Sequence, residues 1–162
     1  MKDYPVTLAV RFLKDHAVEF GPHPYKYTGP GQVAKEAAKA LGVPEEAVYK
    51  TLVFFCGKSP VMAVVDAAHK LSEKKLAALI PCKEGISECP ARDAERLTSY
   101  QVGGISPFGT RKPIPVFLDA ASMAHETIYI NGGARGFLVS LAPSELVRTL
   151  GATVGDIRTA AS

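Results

Sequence analysis

The sequence predicts an α+β fold, a mixed and mostly antiparallel, barrel-like sheet surrounded by short helices. Three observations lead there. β-Branched and aromatic runs cluster in the middle of the chain, short amphipathic segments interrupt them, and most strand-to-strand links are too short for repeated parallel crossovers. At 162 residues and 47% hydrophobic content, the chain suits one domain, 1–162, with a sizeable core.

The elements follow in order. Pro5–Ala17 carries Leu8, Ala9, Phe12 and Leu13 at helical spacing. Glu19–Pro30 contains Pro22, Pro24, Pro30, Gly21 and Gly29 and reads as extended or looped, displaying His23, Tyr25 and Tyr27. Gln32–Leu41 is a second helix, with Gly42 placed to close it. Val48–Phe55 and Val61–Val65 read as strands of a hairpin turning at Gly57–Pro60. Ser72 caps a helix over Glu73–Ile80, and Pro90 starts another that runs to about Leu97. Strands are expected near Val116–Leu118, Thr127–Ile130 and Phe137–Leu141. A last helix runs from Pro143 to Leu150, and Thr159–Ser162 is expected to fray.

Composition excludes several classes. No apolar run approaches a membrane span, and the first residues carry no apolar signal segment, so a cytoplasmic location is expected. The three cysteines, Cys56, Cys82 and Cys89, form no CxxC pair, and their odd number argues against disulfides; they read as small buried or surface thiols. The four histidines are scattered, so neither a metal nor a cofactor is expected. A net charge of +3 tolerates a polyanionic partner and falls short of a dedicated duplex-DNA binder.

Two glycine clusters stand out, Gly103-Gly104-Ile105-Ser106-Pro107-Phe108-Gly109 and Asn131-Gly132-Gly133-Ala134-Arg135-Gly136. Glycine serves positive φ or close backbone approach, so two such loops suggest a site built from main chain. The second is either a hairpin turn at Asn-Gly or a seat for a nucleotide, with Arg135 reaching a phosphate. Ser106 lacks a G-x-S-x-G elbow, and Pro107 offers no N–H after it, so it reads as a turn serine rather than a nucleophile. Lys50 shares a strand face with Leu52 and Phe54. It is either a lysine snorkelling at a strand edge or a cation beside a cleft, where it could bind phosphate or stabilise an oxyanion. Thr51 reads as a β-former with an option on a ligand. Tyr25 and Tyr27 read as core-edge cover or as cleft residues. Asp66, Asp119 and Glu126 read as isolated turn or surface acids.

Tyr49-Lys50-Thr51-Leu52, Val102–Gly109 and Thr127–Gly136 together resemble the YbaK/EbsC family, which is related to the editing domain inserted in bacterial prolyl-tRNA synthetases. The resemblance spans nearly the whole chain. It implies an aminoacyl-tRNA deacylase that frees a wrong small amino acid, cysteine foremost, from the 3′ end of a tRNA, with tRNA(Pro) the tRNA expected. A synthetase such as prolyl-tRNA synthetase is an implied partner; DNA and membrane are not. By the same resemblance Lys50 is the key lysine, and Tyr25, with Tyr27 nearby, is the family tyrosine. The backbone around Gly103 and Gly104, with Ile105 and Ser106, meets the ester or terminal adenosine. Asn131, Gly132, Gly133 and Arg135 fill the second motif. The resemblance implies no triad; for cysteine, the substrate's own thiol assists. Two departures bear on specificity: Asn131 stands where serine is usual, and Leu138 where an acid is usual. A non-catalytic tRNA- or nucleotide-binding module of the same fold is the competing reading, and a serine hydrolase using Ser106 is a third.

Overall fold

The computed structural model describes residues 3–159. Within them, five α-helices and eight strands are arranged as α1 Leu8–Asp15, β1 Gly21–Pro24, α2 Val33–Leu41, β2 Val48–Cys56, β3 Ser59–Asp66, α3 Glu73–Leu79, β4 Ile86–Glu88, α4 Ala91–Thr98, β5 Val116–Asp119, β6 Ile128–Ala134, β7 Phe137–Leu141, α5 Ser144–Leu150 and β8 Thr153–Gly155. The α+β class and the mixed sheet are those the sequence predicts. Of the expected fraying segment, residues 160–162 lie outside the described residues.

The local signals act as their chemistry requires. Thr7 caps α1 by accepting from the Val10 N–H, so that helix starts later than Pro5. Ser72 caps α3 the same way through the Lys75 N–H. Gly42 and Gly151 close α2 and α5 in the left-handed region, at φ +69° and +65°.

All eight strands join one sheet in the order β1-β7-β6-β2-β3-β5-β8, with β4 also on β2. The pairs β1–β7, β2–β3, β2–β4 and β6–β7 are antiparallel; β2–β6, β3–β5 and β5–β8 are parallel. Parallel pairing is thus more frequent than short links suggest. The segment from α3 through the first glycine cluster is long enough to carry the chain from β3 across to β5. β1 falls inside the segment read as extended or looped, while β4 and β8 are three residues each, too short for an alternating pattern to reveal them.

β2 divides the core. Tyr49 and Val53 point into the main cluster with Met62, Val64, Phe108 and Ile130. On the opposite face Phe54 packs with Ala63 and Leu76, and Val48 packs against α2 through Ala37 and Ala38.

Two expectations are corrected. Cys56 and Cys82 form a disulfide, with Cα atoms 5.8 Å apart and a sequence separation of 26. An odd cysteine count constrains only the number left over, here Cys89; the β2–β4 pairing brings the other two within bridging distance. Asp66 and Asp119 are not isolated acids. Both are fully buried at the ends of the parallel strands β3 and β5. Arg158 joins them, 3.0 Å from Asp66 and 3.7 Å from Asp119, while His69 lies 2.7 Å from Asp66. Arg158 is remote in sequence, so no local pattern reveals the pair.

Candidate active site

One edge of β2 changes partner along its length. β6 pairs with it at Val48 and Tyr49, and β4 at Phe54–Cys56. Between them, residues 50–53 are flanked by neither strand. A cleft of about 590 Å³ opens in this gap, within the size range of small-ligand sites. Its walls include Tyr25 from the β1–α2 segment, the start of α2 from Gln32 to Lys35, Lys50 and Thr51 of β2, Glu88 and Cys89, Val102, Gly103, Ile105, Asn131 and Leu138.

Just beyond its last pairing with β2, β6 slips register against β7 between Asn131 and Ala134, a bulge of the kind that ends strand pairing. The second glycine cluster is therefore mostly strand, and the turn sits at Arg135-Gly136, with Gly136 at φ +77°. A Cβ on Gly132 would lie 2.5 Å from the Phe137 ring, and one on Gly104 would lie 2.9 Å from the backbone of Ala134 and Arg135. Gly104 thus lets the first motif close onto the second, and Gly132 lets β6 close onto the Phe137 ring of β7, rather than opening either to a ligand.

Asn131 fastens that contact. Its Nδ2 donates to the Gly103 carbonyl at 3.0 Å, and its Oδ1 accepts from the N–H groups of Gly133 and Ala134. Arg135 adds a second tie, Nε donating to the Val102 carbonyl at 2.9 Å while the guanidinium lies over the Tyr27 ring. The polar atoms of Asn131 thus serve the protein, although the residue borders the cleft.

The polar groups at the cleft are unevenly satisfied. The hydroxyls of Tyr25 and Thr51 are buried without a hydrogen-bond partner among the described residues, and both residues border the cleft; the Tyr49 hydroxyl, also unpartnered, lies on the core side near Asp66, Asp119 and Arg158. Buried polar groups are normally paired, so these two hydroxyls are available for a ligand's hydrogen bonds. Burial raises the Tyr25 pKa. Lys50 is half-buried, and burial lowers its pKa; Asp66 works against that shift, while Lys35 and Lys70 reinforce it. Lys35 and Lys70 thus add positive charge around Lys50, beside the positive end of α2.

The structure brings Tyr25, Lys50, Thr51, Gly103, Ile105 and Asn131 onto one surface. It leaves Gly104, Ser106, Gly132, Gly133 and Arg135 off the cleft lining. Ser106 is fully buried, and its Oγ accepts from the Phe108 N–H, as a turn serine does. Tyr27 sits behind Gly103, so Tyr25 is the tyrosine of the cleft. Sequence reasoning missed the start of α2, Tyr49, Glu88 and Cys89. The one signal for any of these is that α2 directly follows the tyrosine segment.

Comparison with known proteins gives this geometry a context. The model of the aminoacyl-tRNA editing domain family matches residues 28–149. The candidate Cys-tRNA(Pro)/Cys-tRNA(Cys) deacylase EbsC of Enterococcus faecalis is 29% identical over 154 residues, covering 94% of this chain and 93% of that protein. A proline–tRNA ligase of Geobacter metallireducens is 31% identical over 101 residues, 62% of this chain but 17% of the ligase. Among solved structures, a candidate trans-editing enzyme for prolyl-tRNA synthetase superposes with a TM-score of 0.82 at 25% identity, covering 96% of this chain and 99% of that one. Fold, motif order and sequence agree: this chain belongs to the aminoacyl-tRNA editing domain family, in its YbaK/EbsC branch of deacylases.

Proposed function

We propose that the cleft beside β2 hydrolyses the ester of a mischarged aminoacyl-tRNA in trans, with Cys-tRNA(Pro) as the principal substrate. The observation that carries this reading is the convergence of a half-buried lysine and buried, unpartnered hydroxyls on one cleft. The similarity to EbsC over nearly its full length supports cysteine as the amino acid.

An aminoacyl ester is activated, so positioning and charge stabilisation can suffice without a triad. Lys50 is the group that neutralises charge developing on the carbonyl oxygen or a neighbouring phosphate. The Thr51 and Tyr25 hydroxyls orient the terminal ribose and the ester. The Gly103 backbone, fixed by Asn131, forms the opposing wall. With cysteine, the substrate thiolate attacks its own carbonyl carbon, the C–O bond to the ribose breaks and the ribose oxygen takes up a proton; water then opens the resulting cyclic thioester to free cysteine. A mischarged tRNA as substrate puts this work in the cytoplasm, beside a synthetase such as prolyl-tRNA synthetase. No helix among the described residues is long and apolar enough to cross a membrane.

The test is a panel of tRNAs charged with Cys, Ala, Ser and Pro, presented to the purified protein. Deacylation of Cys-tRNA(Pro) at least tenfold faster than Pro-tRNA(Pro) supports the proposal. Tight binding of the panel without cleavage supports a binding module instead.

A further inference from the structure

The cleft is electrically polarised along β2. Lys50 stands at one end, with Lys35 and Lys70 close enough to act on it. Four residues further along, Phe54 pairs with Glu88 of β4, about 13 Å away at a strand's rise per residue. Residues opposite one another in a ladder share a face, so Glu88 lies on the same side of β2 as Lys50.

Among the described residues, Glu88 is the only carboxylate lining the cleft, and it has no ion-pair partner among them. Asp66, the other acid near Lys50, is occupied by Arg158, His69 and the Ala68 N–H. The strand that carries Glu88 is well anchored. The neighbouring Cys89 N–H donates to the Val53 carbonyl at 3.1 Å, and the Cys56–Cys82 disulfide ties down the loop that precedes β4.

An aminoacylated tRNA end has matching polarity. Its phosphodiesters are anionic, and its α-amino group, held by the ester below the peptide value of about 7.7–8, is charged in a substantial fraction of molecules at pH 7. We propose that Glu88 is the specificity residue that receives the substrate's α-ammonium, so that the cleft selects a free aminoacyl ester over an N-blocked one. This rests on the deacylase reading and adds to it a polarity of binding: phosphate toward the lysines, amine toward β4.

The experiment compares Cys-tRNA(Pro) with N-acetyl-Cys-tRNA(Pro), whose amine is uncharged, on the wild type and on Glu88→Gln and Glu88→Lys. For the free amine, Glu88→Gln should lower kcat/KM about fivefold, mainly through KM, in line with a solvent-exposed ion pair. Glu88→Lys should lower it about twentyfold, since it sets a like charge against the ammonium. For the acetylated substrate Glu88→Gln should stay within about 1.5-fold of wild type, the ion pair being absent there, and Glu88→Lys should show no loss, its added positive charge favouring the polyanionic tRNA. Equal losses on both substrates, or no loss on either, overturn the proposal. Binding of 3′-cysteinylamino-3′-deoxyadenosine and its N-acetyl form, measured by calorimetry, separates this from the deacylase reading. A wild type that hydrolyses nothing refutes deacylation, yet a Glu88→Gln loss confined to the free-amine amide still supports the ammonium site. Absence of that selective loss overturns it.

Discussion

Gly104→Ala probes the junction between the two glycine motifs. A Cβ at this position would lie 2.9 Å from Ala134 C and Arg135 N and 3.1 Å from Ala134 Cα. Approaches this close do not persist between a Cβ and backbone, so the two segments must separate by about 0.5 Å to reach ordinary packing near 3.4 Å. Overpacking of this kind costs about 1–3 kcal/mol. Straining the Asn131–Gly103 hydrogen bond adds about 0.5–1.5 kcal/mol. The total, about 1.5–4.5 kcal/mol, corresponds to a fall in Tm of about 3–18 °C for a chain of this size. Because Gly103 lines the cleft, hydrolysis should also fall about tenfold, a modest loss beside what a full 1 Å misplacement can cost. Gly42→Ala is the comparator: φ is +69°, but the added Cβ meets nothing within 4 Å. It should cost about 1–2 kcal/mol through the left-handed backbone alone and leave kcat/KM unchanged. Thermal unfolding by circular dichroism and deacylation of Cys-tRNA(Pro) report both effects. If Gly104→Ala melts no lower than Gly42→Ala and keeps wild-type activity, the glycines are not what joins the motifs.

The disulfide closes a loop with a sequence separation of 26, so Cys82→Ser, or reduction, should destabilise the fold by up to about 3.5 kcal/mol on a chain-entropy estimate, read by urea titration with and without dithiothreitol. Lys50→Met should raise stability at neutral pH. Burial lowers the folded-state pKa of Lys50, so the cost of holding the cation is present below that pKa and relieved as pH rises through it toward the ordinary value of 10.5. The stability gain of Lys50→Met should therefore shrink over that upper range; a gain that stays constant from neutral pH up to that value would contradict a buried cation. Lys35 lines the cleft mouth, so Lys35→Ala should weaken tRNA binding and flatten its log–log salt dependence by about 0.7–0.9 for each phosphate the lysine neutralises. An unchanged slope in fluorescence anisotropy would remove Lys35 from the tRNA interface.

The amphipathic helices and the β2–β3 hairpin were legible because their periodicity and caps are local. So were Lys50 and its companions on β2, since alternation alone sorts Tyr49 and Val53 from Lys50 and Phe54. Asn131-Gly132 misled because Asn-Gly favours a turn in isolation, whereas Gly132 here is held in a strand against Phe137. The Asp66–Arg158–Asp119 cluster and the Cys56–Cys82 bridge depend on contacts between distant segments, which neither composition nor spacing encodes. Glu88 and Cys89 were hidden for a related reason: β4 is three residues long and gains its place only from β2.

The central claim is that Lys50 supplies charge stabilisation to ester cleavage in this cleft. Its most direct test is single-turnover deacylation of Cys-tRNA(Pro) by wild type and Lys50→Ala, each at saturating protein and corrected for spontaneous hydrolysis. Loss of a transition-state charge partner predicts a rate lower by about 10²–10³-fold. A Lys50→Ala rate within about threefold of wild type, less than about 0.7 kcal/mol of barrier, would contradict it.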